Sequence, residues 1–135
     1  GSTGEPWNEG PWHWLYDTVG QGRRPIINYS GGTEIGGGIL ACFPGLPQKP
    51  CAFAGPIPGI AADVTTADGQ AANGEVGELV IGGVGLARYL DPAKDAEKYA
   101  PMETLGWGRA YRSGDLVRLE ADGLYFQGRA DISSA

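Results

Sequence analysis

The sequence predicts a mainly β fold with one short N-terminal helix, an α+β arrangement. Three observations carry that expectation. Among 135 residues, 24 glycines and 10 prolines punctuate the chain too often for a helical bundle, while 41% hydrophobic residues are too many for disorder. Short apolar runs end repeatedly in turn residues, and Asp122-Gly123 between two alternating runs is a hairpin signal. Helical spacing is clear near the N-terminus, where Trp12, Leu15, Tyr16 and Val19 fall at i, i+3, i+4 and i+7.

The elements follow in chain order. Asn8 or Pro11 starts the helix, which carries Trp12, Trp14, Leu15, Tyr16 and Val19 and ends at Gly20 and Gly22. Aromatic residues at this spacing read as packing, with a ligand-stacking platform as the alternative, and His13 has no diagnostic partner. Pro25 precedes a short β-branched run, Ile26-Ile27, that reads as a buried strand breaking into a glycine-rich turn through Gly38. Ile39 to Phe43 is a short apolar run, and Pro44, Pro47, Pro50, Pro56 and Pro58 then mark an irregular connection. Ile60 to Thr65 is a strand with a turn at Ala67-Asp68-Gly69-Gln70. Gly74 to Gly82 is a scaffold strand with Leu79 and Ile81 on one face and no catalytic role for Glu78. Asp91-Pro92 caps a short helix reaching about Tyr99, with a solvated face. Asp115 to Arg129 forms an antiparallel hairpin turning at Asp122-Gly123, with Leu79, Ile81, Leu124 and Phe126 buried together.

A chain of this length holds one domain with a modest core. Its formal net charge of −6 argues against a nucleic-acid or membrane-surface partner, both of which want clustered Lys and Arg. No apolar run approaches the roughly 20 residues that span a bilayer, and the N-terminus lacks the basic start and apolar core of a signal peptide. A cytoplasmic protein is expected. Cys42 and Cys51, with one histidine in the chain, cannot make the usual four-ligand zinc site and are expected as reduced, partly buried thiols.

Two stretches carry chemistry. In Tyr29-Ser30-Gly31-Gly32-Thr33-Glu34, Thr33 supplies a hydroxyl and Glu34 a carboxylate suited to a hard cation such as Mg2+. The flanking glycines let backbone N–H groups approach a ligand closely. That chemistry suits an anionic, metal-bound ligand such as a nucleotide phosphate; the alternative is a plain polar turn. In Tyr111-Arg112-Ser113-Gly114-Asp115-Leu116, Asp115 can accept two hydrogen bonds from a vicinal diol, as a ribose presents, or serve as an ordinary turn residue.

These stretches resemble motifs of the adenylate-forming superfamily of acyl- and acetyl-CoA synthetases, peptide-synthetase adenylation domains and luciferases. Tyr29 to Glu34 is similar to its Tyr-Gly-x-Thr-Glu, and Tyr111 to Leu116 to its Tyr-x-Thr-Gly-Asp-Leu. Gly128-Arg129-Ala130-Asp131 resembles Gly-Arg-x-Asp, and Gly1 to Pro6 the Gly-Ser-x-Gly-Glu-Pro of acetyl-CoA synthetases. Gly55 to Gly59, Gly74 to Gly82 and Leu86 to Leu90 match further family segments, with Cys51-Ala52 and Arg88 as departures. The order of several motifs together is what gives the resemblance its weight.

The resemblance implies a distorted β-barrel-like subdomain of the family's large N-terminal domain. Residues 1–40 would carry the helix and the Thr-Glu strand-turn, 41–128 the barrel-like part, and 129–135 the start of the hinge to a C-terminal domain. It also implies an AMP-forming acyl-CoA synthetase that activates a carboxylic acid with ATP and transfers it to coenzyme A. Thr33 would contact the α-phosphate and Glu34 hold Mg2+, the two catalytic positions. Gly4, Glu5 and Pro6 would lie against the nucleotide, and Asp115 and Arg129 would bind the ribose. The adenine-stacking position is Ser30 by spacing from Thr33, with the aromatic Tyr29 one residue earlier, so either could face the base. The family's upstream phosphate loop and downstream lysine domain are not in the sequence, so the chain is expected to be inactive alone and to need those N- and C-terminal parts. A peptide-synthetase adenylation domain and a non-enzymatic β-barrel binding module are the alternatives.

Overall fold

The computed structural model describes residues 1–4, 6–83 and 86–130. The fold is mainly β, with nine strands and two short α-helices among the described residues. Helix α1 (Glu9–Trp14) begins after Asn8, whose backbone is extended but whose side chain makes no capping bond. The helix then widens into a π-helical turn over Leu15–Val19, closed by the Gly20 N–H donating to Leu15 O at 2.9 Å. That widening corrects the expected four-residue packing face. Trp12 is buried and stacks on Tyr16 with ring centroids 5.2 Å apart, but the extra residue per turn rotates Val19 outward to 54% exposure. Trp14 is exposed as well.

Strand β1 (Tyr29–Gly32) pairs antiparallel with β2 (Gly37–Ala41), which pairs in turn with β4 (Gly55–Pro56). The expected strand from Ile26 starts later. Ile26 is buried, but its N–H donates to the Gln48 side chain, and Asn28 forms only an isolated parallel bridge with Ser2. Residues 1–4 are thereby laid beside the entry to β1.

The larger sheet runs β3 (Ala52–Phe53), β9 (Gly123–Arg129), β8 (Trp107–Glu120), β6 (Val76–Gly83), β5 (Ile60–Thr65), and it curls into a half-barrel. Strand β7 (Tyr99–Met102) pairs with the first part of β8. Between β6 and β7, α2 (Pro92–Lys98) is capped by Asp91, whose carboxylate accepts from Ala93 N at 2.9 Å.

The core joins the two sheets. Ile39 and Leu40 of β2 pack with Val64, Leu79, Ile81, Val117 and Leu124 of the half-barrel, and each such buried side chain contributes roughly 1.5–3 kcal/mol of transfer free energy. The hairpin β8–β9 forms in the expected place but turns through Ala121-Asp122, with Glu120 opposite Gly123. Leu79, Ile81 and Leu124 are buried together as expected; Phe126 is not. It opposes Val117 on the same face, beside a register shift at Gln127, and lies half-buried against a cavity. Cys42 and Cys51 are both free thiols, and Cys42 Sγ donates to Ala52 O.

Candidate functional site

A cavity of about 1020 Å³ lies between the N-terminal segment, β1 and the β8–β9 hairpin. Gly4, Pro6, Tyr29, Ser30, Asp115 and Arg129 line it together, although they come from both ends of the chain. Beside it a smaller cleft is lined by Thr33, Gly32, Gly36 and Gly37, and Thr3, Tyr29 and Gly31 border both. Of the residues singled out in the sequence, Glu5 and Asp131 lie outside the described residues.

Asp115 reaches the cavity because β8 bulges. Glu78 opposes Leu116 and Val80 opposes Arg112, so Leu79 alone faces Ser113, Gly114 and Asp115. Such an irregularity breaks the ladder and re-aims side chains. Polar groups hold it. Ser113 Oγ donates to Leu79 O at 2.7 Å, and Asp115 N–H donates back to Ser113 Oγ at 3.1 Å. Glu78 pairs with Arg112 at 2.6 Å and accepts from Gly114 N–H at 3.2 Å. The scaffold residue Glu78 is therefore a brace of the Asp115 turn, which its place in a regular strand pattern did not signal.

Gly114 has φ +74°, and a Cβ there would lie 3.1 Å from Arg129 Nη2. Without that Cβ the guanidinium rests over the glycine. Arg129 Nη1 donates to Asp115 Oδ1 at 2.9 Å and to Ser113 O at 3.1 Å, fixing the carboxylate at the cavity wall.

Elsewhere on the cavity lining the Tyr29 ring lies along the β1–β2 ribbon. A Cβ at Gly38 would sit 2.5 Å from a ring carbon, and one at Gly31 3.1 Å from the hydroxyl. Two glycines thus make room for the ring, which stays 38% exposed. Ser30, half-buried beside it, offers no comparable flat surface.

Thr33 and Glu34 sit on the β1–β2 turn. Thr33 Oγ1 donates to Glu34 Oε2 at 3.0 Å, and Tyr89 Oη donates to Oε1 at 2.7 Å. The Tyr89 bond, more than the Thr33 bond and the nearby Lys94 charge, holds the Glu34 carboxyl below its ordinary value, against the opposing effect of burial. Its counterpart is the Tyr89 phenol, pushed up to about 12 chiefly by that same bond. Nothing in the local sequence pointed to Tyr89, because its partner lies 55 residues away.

Among the described residues no group of three or more His, Cys, Asp or Glu could cage a metal. One ionised carboxylate with an adjacent hydroxyl suits Mg2+, which keeps several waters and is commonly shared with substrate phosphates. No helix among the described residues is long and apolar enough to cross a membrane.

The half-barrel with its flanking hairpin is shared with solved adenylate-forming enzymes. The Klebsiella oxytoca NpsA N-terminal subdomain, in complex with 3-hydroxybenzoyl-AMSN, superposes with a TM-score of 0.77 at 26% identity, covering 93% of this chain and 32% of that one. The anthranilate CoA ligase AuaEII, in complex with anthranoyl-AMP, has the same fold, with a TM-score of 0.79 at 21% identity over 96% of this chain and 24% of its own. The chain thus has the fold of the N-terminal subdomains of adenylate-forming enzymes. In sequence it is similar to acetyl-coenzyme A synthetases: 37% identical over 136 residues to that of Rubrobacter xylanophilus and 38% over 139 to that of Burkholderia mallei. Each match covers 97% of this chain and 21% of the relative, so the chain spans about a fifth of the length of these curated relatives. No family model matches it.

Proposed function

We propose that this chain forms one wall of the ATP/AMP site of an AMP-forming acyl-CoA synthetase, a cytoplasmic acid–thiol ligase, and that it works with the N- and C-terminal parts of the same enzyme. The observation that carries the reading is the single cavity in which Gly4, Pro6, Tyr29, Ser30, Asp115 and Arg129 converge. A nucleotide placed there would meet both an aromatic ring and a fixed carboxylate in the cavity lining. Asp115, oriented by Arg129, would accept hydrogen bonds from the ribose hydroxyls. Tyr29 rather than Ser30 would face the adenine, since its ring is the flat, half-open surface. Gly4, Glu5 and Pro6 would lie with their backbone against the nucleotide. Residues 1–40, 41–128 and 129–135 would be the Thr-Glu segment, the barrel-like part and the start of the hinge.

In the reaction a substrate carboxylate would attack the α-phosphorus of ATP, giving acyl-adenylate and pyrophosphate, and the thiol of coenzyme A would then displace AMP. Thr33 would donate its hydroxyl to the α-phosphate, and Glu34 would hold Mg2+. Bound there, Mg2+ would offset negative charge on the phosphates as pyrophosphate leaves. The chain's own contribution is positioning and fixed charge: Asp115 and Arg129 anchor the sugar, so the α-phosphate is held at Thr33.

Titration of the 15N-labelled chain with AMP and Mg2+, followed by NMR, tests this directly. Shifts concentrated at Tyr29, Ser30, Gly114, Asp115 and Arg129, abolished by Asp115→Ala, are the expected result. Saturating AMP with no change at these amides would refute it. The likeness to NpsA supports a second reading, an adenylation domain that hands its acyl group to a carrier protein. Acyl transfer to coenzyme A by the enzyme carrying this chain decides between them.

A further inference from the structure

Glu34 is gripped at both its main chain and its side chain by the segment that runs from Ala87 to Tyr99. Its carbonyl oxygen accepts from Ala87 N–H at 2.9 Å and from Tyr99 Oη at 3.0 Å. Its Oε1 accepts from Tyr89 Oη at 2.7 Å, while Oε2 stays beside Thr33 Oγ1 and close to Gly32. The gripping segment is itself braced. Tyr89 N–H donates to Asp95 Oδ1 at 2.9 Å, and Lys94 Nζ lies 4.3 Å from the centre of the Tyr89 ring. Arg109 pairs with Asp95 at 3.2 Å, donates to Ala87 O at 2.9 Å, and covers the Tyr99 ring at 4.0 Å. A half-buried phenol is thus fixed on its backbone, its ring and its hydroxyl, and the hydroxyl is spent on one oxygen of Glu34.

We propose that Tyr89 is a positioning residue for Glu34: by holding Oε1 it fixes the carboxylate rotamer, so that Oε2 is presented beside Thr33 to the nucleotide-bound cation. This rests on the reading above that Glu34 holds the metal. A freely rotating glutamate would have to surrender side-chain entropy each time it bound a cation; here the fold has removed that freedom in advance. The excursion of residues 86–99, which looks like a solvated decoration, is thus tied to the β1–β2 turn by three hydrogen bonds.

The test uses the full-length enzyme carrying this chain, with Mn2+ in place of Mg2+ so that the affinity for Mn2+–ATP is read by electron paramagnetic resonance without turnover. Tyr89→Phe deletes one oxygen from a half-buried ring and should leave the thermal melt cooperative. It is expected to weaken Mn2+–ATP binding about 5- to 20-fold, the range of a lost hydrogen bond to a charged group whose acceptor keeps a second donor. In a Glu34→Gln background the same substitution should change nothing further, because Tyr89 acts only through Glu34. Lys94→Met, an exposed change that removes the cation over the ring, should weaken binding about 2-fold and gives a second route if Tyr89→Phe melts early. If Glu34→Gln weakens binding and Tyr89→Phe does not, or if the two effects multiply, the positioning role is wrong and the metal role stands. If Glu34→Gln has no effect on Mn2+–ATP affinity, the metal role of Glu34 is wrong and Tyr89 loses its function with it.

Discussion

Gly114→Ala isolates the physics that aims Asp115 into the cavity. Its cost has two parts. The backbone at φ +74° is left-handed, which costs an L-residue with a Cβ roughly 1–2 kcal/mol. The new Cβ would also lie 3.1 Å from Arg129 Nη2 and 3.4 Å from Cζ, so the guanidinium must shift by a few tenths of an ångström. Its bonds to Ser113 O and Asp115 Oδ1 would lengthen. Both groups are partly exposed, so this second part is held to about 0.5–1 kcal/mol. The expected total is about 1.5–3 kcal/mol, measured by urea unfolding of the 135-residue chain. Gly22→Ala is the control, because Gly22 has φ +62° and nothing within 4 Å of an added Cβ; it should lose only the backbone part, about 1–2 kcal/mol. In an Arg129→Ala background the excess of Gly114→Ala over Gly22→Ala should vanish. An excess that persists without Arg129, or no excess in the parent chain, would refute the argument that Arg129 rests on Gly114.

Four further outcomes are expected. In the full-length enzyme, Asp115→Ala should raise the KM for ATP roughly 10- to 150-fold with little change in kcat, the loss of hydrogen bonds to a charged group in ground and transition states alike. Glu34→Gln should instead lower kcat and be partly rescued by excess Mg2+; steady-state kinetics showing the reverse split would mean that ribose and metal are exchanged. Leu79→Ala, at a site 1% exposed in the centre of the core, should destabilise the chain by about 2–5 kcal/mol in the same urea assay. The Tyr89–Glu34 bond should leave two marks on the pH dependence of stability. The phenol is raised from 10.0 to about 12, so the fold favours its neutral form; that contribution is complete below pH 10 and is lost as the pH climbs towards 12. The Glu34 carboxyl is lowered from 4.5, so its contribution is present above pH 4.5 and is lost as the pH falls below it. Tyr89→Phe should therefore differ most from the parent chain between pH 5 and 10, and the two unfolding midpoints should converge at either extreme.

Features written into neighbouring residues were the legible ones. The Asp91-Pro92 cap, the hairpin from Asp115 to Arg129, and the burial of Leu79, Ile81 and Leu124 each depend on spacing that a reader of the chain can see. Val19 was not legible, because a π-turn changes the period on which a helical face is counted. Phe126 keeps the right alternation, but whether a side chain or a cavity stands before it is decided by other elements. The convergence of Gly4, Tyr29 and Asp115 was reachable through motif order, whereas the Tyr89–Glu34 bond and the Glu78 brace were not. Each of those pairs residues of ordinary type over separations of 55 and 36.

Strand β8 is fourteen residues long and hydrogen-bonded in turn to β7, β6 and β9. None of those strands can leave the sheet without breaking with it, so its amides at 116–120 and 110–112 should be among the slowest in the molecule to exchange with deuterium. Ser113, Gly114 and Asp115 interrupt that run, since their donors turn to side chains or lie off the ladder. Protection should therefore dip for three residues and recover on both sides. The most persistent strand carries the Asp115 carboxylate in a short permeable window, anchored at each end, where local opening need not spread to the core.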